Sequence, residues 1–149
     1  MKSQNPAIYY AGTVKAPKSL KSVTDQKSRR VLSNLVAEHL DMNLVNERGA
    51  FYHLEDDEYK VHVRFLHRAG KPCLGKGHGF TAPRFYADLK KHSGYLLVDT
   101  ADFTAANPEI HLWAMDTKTT KALYKSGLLP QGRLSRKRFE MLRTAKTGL

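Results

Sequence analysis

Six side chains in one short stretch carry groups able to act on a phosphate. In AFYHLEDDEYKVHVRFL, residues 50–66, His53 and Glu55 precede Asp56-Asp57, and Glu58, Lys60, His62 and Arg64 follow it at alternate positions. Side chains alternate faces along a strand, so a β-hairpin would gather these six on one side. Tyr52, Leu54, Tyr59, Val61, Val63 and Phe65 would line the other. A turn at Asp56-Asp57 pairs Glu55 with Glu58, His53 with Lys60 and Phe51 with His62. Carboxylates suit Mg²⁺, an imidazole titrating near neutrality can move protons, and Arg or Lys can stabilise phosphate charge. The same alternation also describes an ordinary antiparallel sheet with one side in water, and the sequence leaves both readings open.

The flanking elements must position that hairpin. Val31, Leu32, Leu35, Val36 and Leu40 recur at helical spacing after a cap at Thr24 or Asp25, which predicts a helix carrying Glu38. Met42 to Val45 reads as a short strand, with Asn46-Glu47-Arg48-Gly49 as turn chemistry before the hairpin. AGKPCLGKGHGF, from Ala69, reads as a basic loop without the spacing of a Walker phosphate loop. A short helix from Pro83 to His92 follows, ended by Ser93-Gly94. The strands Tyr95–Val98 and Glu109–Met115 come next, joined by a polar loop from Asp99 to Pro108. Asp116 or Thr117 can cap a helix that Gly127 closes, and Ser135 can start a last one with Phe139 and Leu142 inward. Before all of these, Ile8-Tyr9-Tyr10 reads as a strand ended by Ala11-Gly12.

The 149 residues carry 25 Lys and Arg against 14 Asp and Glu, a net charge of +11. Residues 1–30 hold seven cations and one acid, residues 117–149 nine and one, and the middle nine and twelve. Basic ends around a near-neutral centre are the footprint expected of a partner rich in phosphate, since neutralising phosphates releases counterions. DNA or RNA is the expected partner, with Lys15, Lys18, Lys21, Arg68, Lys71, Lys76, Arg136, Lys137 and Arg138 as backbone contacts. Tyr9, Tyr10 or Phe80 are available for base stacking. No run of about 18 apolar residues could span a bilayer and the N-terminus lacks a secretory core, so a soluble, cytoplasmic protein without a membrane partner is expected. The single Cys73 and the absence of paired Cys/His spacing give no zinc pattern. His39 and His111 read as packing groups, and Trp113 as core.

The expected fold is α/β (α+β): a basic arm over residues 1–26, then a single domain over 27–149 in which helices flank a mixed central sheet and the last helix is basic. The order helix, three strands, helix, strand, together with Glu38, Glu58-Tyr59-Lys60, GYLLVDT and NPEIHLWAM, resembles the restriction-endonuclease-like core, αβββαβ, of PD-(D/E)XK nucleases. The resemblance covers roughly residues 27–115. It implies an endonuclease in which Glu58 and Lys60 match the E-x-K, with Glu55, Asp56 or Asp57 as the preceding acid. Glu38 would be the acid on the first helix, and Mg²⁺ the cofactor. The mid-strand position, however, reads His62-Val63-Arg64, and a His and an Arg cannot replace a carboxylate and a lysine around Mg²⁺. Two alternatives therefore stand beside metal-dependent cleavage. One is metal-free RNA cleavage by His53 and His62 with Lys60 and Arg64. The other is a DNA- or RNA-binding or regulatory module without chemistry.

Overall fold

The computed structural model describes residues 8–23, 25–48, 51–66, 94–127 and 136–144. These form a single-domain mixed α/β fold around one six-stranded sheet. In chain order the elements are β1 (Tyr9–Lys15), α1 (Gln26–Leu40), β2 (Asn43–Arg48), β3 (Phe51–Glu55), β4 (Lys60–Leu66), β5 (Gly94–Asp99), β6 (Glu109–Asp116), α2 (Thr117–Lys125) and α3 (Arg136–Thr144). The strands lie in the order β1-β6-β5-β4-β3-β2. Only β4 and β5 run parallel; the other neighbours are antiparallel. Residues 67–93 lie outside the described residues. So do the predicted basic loop, the helix Pro83–His92, Phe80, and Arg68, Lys71 and Lys76.

Local chemistry accounts for the boundaries. Asp25 is the N-cap of α1, extended at φ −88° and ψ 168°, and its carboxylate accepts the Ser28 N–H at 2.7 Å. Asp41 ends the helix in the left-handed region at φ 53°. Asp116 caps α2 in the same way, accepting from the Thr119 N–H at 2.6 Å. Two strands run longer than their sequences suggest. β2 continues through Arg48, where turn chemistry was expected, and β1 continues through Gly12 to Lys15. Gly94 opens β5. A Cβ there would come within 2.5 Å of the Met115 carbonyl oxygen, so the β5 and β6 backbones approach through it.

Each face of the sheet is covered by different helices. Leu54, Val63, Phe65, Leu96, Val98, Ile110 and Leu112 pack under Leu32, Val36 and Ala37 of α1. The other face presents Leu66, Tyr95, Leu97 and Met115 to Leu123 of α2 and to Phe139 and Leu142 of α3. Each such aliphatic or aromatic side chain, fully buried, stabilises by about 1.5–3 kcal/mol. Every residue of β5 is buried, as befits a central strand covered on both sides.

Candidate functional site: two polar clusters on one sheet face

Register sets what the hairpin can do. β3 and β4 pair His53 with His62, Leu54 with Val61 and Glu55 with Lys60. This corrects the expected pairing of His53 with Lys60 and Glu55 with Glu58. The difference comes from Asp56: its carboxylate accepts the N–H groups of Glu58 and Tyr59 at 2.8 and 2.7 Å, and its own N–H donates to the Tyr59 carbonyl. The turn therefore takes four residues, 56–59, in place of two. Those two N–H groups hold the Asp56 carboxyl below the ordinary carboxylate value. Glu58 and Asp57 sit exposed in the turn and not on the strand, two and three positions before Lys60.

Three residues of the hairpin's polar side, His53, His62 and Arg64, are buried where a solvated ribbon was expected, while Glu55 and Lys60 nearer the turn are part-exposed. His53, His62 and Arg64 are 5%, 3% and 5% exposed. Arg64 donates from Nη1 to His62 Nε2 at 2.5 Å. A guanidinium only donates, so Nε2 must accept, which makes His62 neutral with its proton on Nδ1. The His62 ring lies 5.9 Å from that of Tyr95, the residue beside it on β5. His53 approaches Glu55 Oε2 at 3.4 Å through Nε2, and Glu55 and Lys60 are half-buried. Glu38 is exposed on α1, which packs against the opposite face of the sheet, so it does not join Glu55 or Glu58. Among the described residues no group of three His, Cys, Asp or Glu side chains is close enough to hold a metal ion.

A second cluster occupies the same face at the other end of the sheet. A register shift in β1 leaves Ala11 as the extra residue, so that Tyr10 pairs with Trp113, Gly12 with Leu112 and Thr13 with His111. Gly12 takes φ +122°, a conformation that L side chains rarely adopt. In a regular strand, residues three apart point to opposite faces. The bulge instead places Tyr10 and Thr13 on one face, where their hydroxyls are hydrogen-bonded. Thr13 Oγ1 lies 3.1 Å from His111 Nδ1, and Tyr10 Oη lies 3.3 Å from it. His111 Nε2 faces Asp102 Oδ2 at 3.2 Å. If Nε2–H donates to that carboxylate, Nδ1 is left as the acceptor for the Thr13 hydroxyl, an acid-imidazole-hydroxyl relay. The Tyr10 ring stands edge-on to Trp113, with centroids 5.0 Å apart. On its other contacts Trp113 meets Phe139 at 5.3 Å and lies under the Arg143 guanidinium at 5.3 Å.

No family model, curated protein or solved structure matches this chain.

The described cations are spread over the sheet: Lys60 and Arg64 belong to the hairpin, Lys15 and the lysines of α2 lie by the β1–β6 edge, and the segment with Lys18 and Lys21 packs through Leu20 and Val23 on the α1 side. Lys15 ends β1, and Lys18 and Lys21 are exposed in the segment leading to α1. That segment and the first turn of α1 bound a pocket of about 330 Å³ whose lining includes Ser19, Lys21, Ser22 and Lys27. Asp25 also lines it, with its carboxyl held below the ordinary value by the hydrogen bonds from Ser28. On α2, Lys118, Lys121 and Lys125 are exposed at helical spacing along one stripe, while Thr120 and Leu123 point inward. Arg136, Lys137 and Arg138 lie in the first turn of α3; their side chains are outside the described residues. Sequence reasoning missed Thr13, Asp102 and the part-exposed His111. The available signal was Gly12 inside an otherwise β-prone run, a mark of a bulge.

Proposed function

We propose that this protein binds nucleic acid through phosphate contacts made by the two basic ends of its sequence. The observation that carries the reading is convergence. β1, from the basic N-terminal segment, pairs with β6. β6 leads directly into α2 with its lysine stripe, and α3 packs through Phe139 and Arg143 on Trp113, the partner of Tyr10. Three acids near this edge are engaged within the chain: Asp116 caps α2, Asp102 faces His111, and Asp99 accepts from the Ala101 N–H; Glu109 stands opposite Lys15. The order of α1, three antiparallel strands and a parallel β5 supports a distant restriction-endonuclease-like core as the scaffold. The test is binding of nonspecific DNA and RNA across a salt series. Affinity should fall steeply with salt, and Lys15→Ala, Lys18→Ala and Lys21→Ala together should lower the log–log slope by about 2–3 on duplex DNA. A flat salt dependence would remove the reading.

Phosphodiester cleavage is a second reading, favoured by the Asp102–His111 pair at the surface of the same edge. Incubation of RNA and DNA with Mg²⁺, Mn²⁺ or EDTA separates the routes. EDTA-resistant RNA cleavage lost in His111→Ala points to this pair, and the same loss confined to His62→Ala points to the buried histidine. Metal-dependent cleavage lost in Glu58→Ala points to a carboxylate site.

A further inference from the structure

We infer that Tyr10 is a base-stacking platform, and that the ligand class of the β1–β6 edge is single-stranded nucleic acid; this rests on the nucleic-acid reading above. Three observations converge on the ring. Tyr10 is 54% exposed, although it is a large aromatic held on a sheet. Its orientation is set at two points, by the hydroxyl's contacts with Thr13 and His111 and by the edge-on contact with Trp113. Trp113 is itself packed against Phe139 and Arg143. A tyrosine with so little freedom loses little entropy when a base lies on it, and every base offers a π-face.

The surroundings suit a strand with its bases unstacked more than a duplex. Tyr10, Thr13 and Lys15 share one face of β1, because Thr13 opposes His111 and Lys15 opposes Glu109. From Tyr10 to Lys15 the strand covers roughly 15 Å at about 3.3 Å per residue, room for two or three nucleotides with a base on the ring and phosphates toward Lys15. Thr13 and His111 offer polar atoms between these points. Lys18 and Lys21 are exposed in the segment that follows β1, which packs through Leu20 and Val23 on the α1 side. A base pair inside a duplex has no face to give, so the ring should add nothing there.

Trp113 is the only tryptophan of the chain, and its emission reports directly on Tyr10. The full chain would be titrated with 12-nucleotide oligo(U) and oligo(dT), and with a 12-base-pair duplex, following Trp113 fluorescence and anisotropy of end-labelled strands. Expected results are a change in Trp113 emission on single strands and a loss of about ten-fold in single-strand affinity for Tyr10→Leu, with duplex affinity held within about two-fold. Leucine keeps an apolar cover on Trp113 without a π-face. Tyr10→Phe, which keeps the π-face, should retain most of the affinity, and an unchanged far-ultraviolet circular dichroism spectrum and melting temperature of the unbound variants would establish that the fold survives. Equal single-strand affinity for wild type and Tyr10→Leu would overturn the platform while leaving the phosphate reading intact. Binding of neither strand type by the wild type at low salt would overturn the underlying reading as well. Concentration-dependent self-association that Tyr10→Leu abolishes, with no effect on oligonucleotides, would assign the ring to contact between copies and also overturn it.

Discussion

Two polar clusters lie on the same side of one sheet, and they differ in almost every property that matters for function. At the β3–β4 end, His53, His62 and Arg64 are buried, and the guanidinium occupies the nitrogen that His62 would need to act as a base. At the β1–β6 end, Tyr10, Thr13, His111 and Asp102 form a chain of hydrogen-bonding groups open to solvent. The residue types are similar, but one set holds the sheet together and the other meets water. A polar face on a strand says which way side chains point; what lies above them decides whether they bind a ligand or each other.

The largest expected effect is on the buried side. His62→Ala removes a partner from a buried guanidinium and opens a cavity beside Tyr95, and should cost about 3 kcal/mol in urea unfolding. A cost under about 0.5 kcal/mol, the size of an ordinary surface change, would dissolve the contrast between the clusters. Next comes Gly12→Ala, which forces a side chain into a φ of +122° and should cost about 1–3 kcal/mol. If the bulge builds the exposed cluster, this variant should also change Trp113 emission, and unchanged emission would separate the ring from the bulge.

His111→Ala should cost less, about 0.5–1.5 kcal/mol, because water can satisfy the groups it leaves behind. The smallest effect concerns the turn that sets the hairpin register. The Asp56 carboxyl titrates below its ordinary value of 3.8, so its stabilisation is complete above that value and is lost as pH falls through the folded-state pKa. The advantage of wild type over Asp56→Asn should therefore be present at pH 6 and shrink as pH falls below 3.8 in thermal melts. An advantage that does not shrink with falling pH would mean that the charge is not what holds the four-residue turn.

Much of the scaffold was legible because it is written locally. The spacing of Leu32, Val36 and Leu40 and the cap at Asp25 announced α1, and the apolar run Tyr95–Val98 announced a central strand. The alternation in residues 51–66 correctly separated the Leu54, Val63 and Phe65 side from the His53, His62 and Arg64 side. It could not reveal the register, because an Asx turn and a two-residue turn both fit Asp56-Asp57-Glu58-Tyr59 and preserve the same faces. His111 was read as packing because its partners, Thr13 and Asp102, come from a distant strand and from the loop before β6, neither of which marks it in the chain.

Charge and periodicity are properties of the chain, and they were enough to establish two basic ends, an α1 amphipathic on one side and strands with two unlike faces. Adjacency is not such a property. That β1 lies beside β6, bringing residues 9–15 next to 109–116, depends on strand pairing across nearly the whole sequence. That the histidines of β3 and β4 are sealed while His111 is not depends on which part of the face is covered. Both are outcomes of packing between elements far apart in sequence, where hydrophobic burial and backbone pairing choose among arrangements that the local residue pattern allows equally.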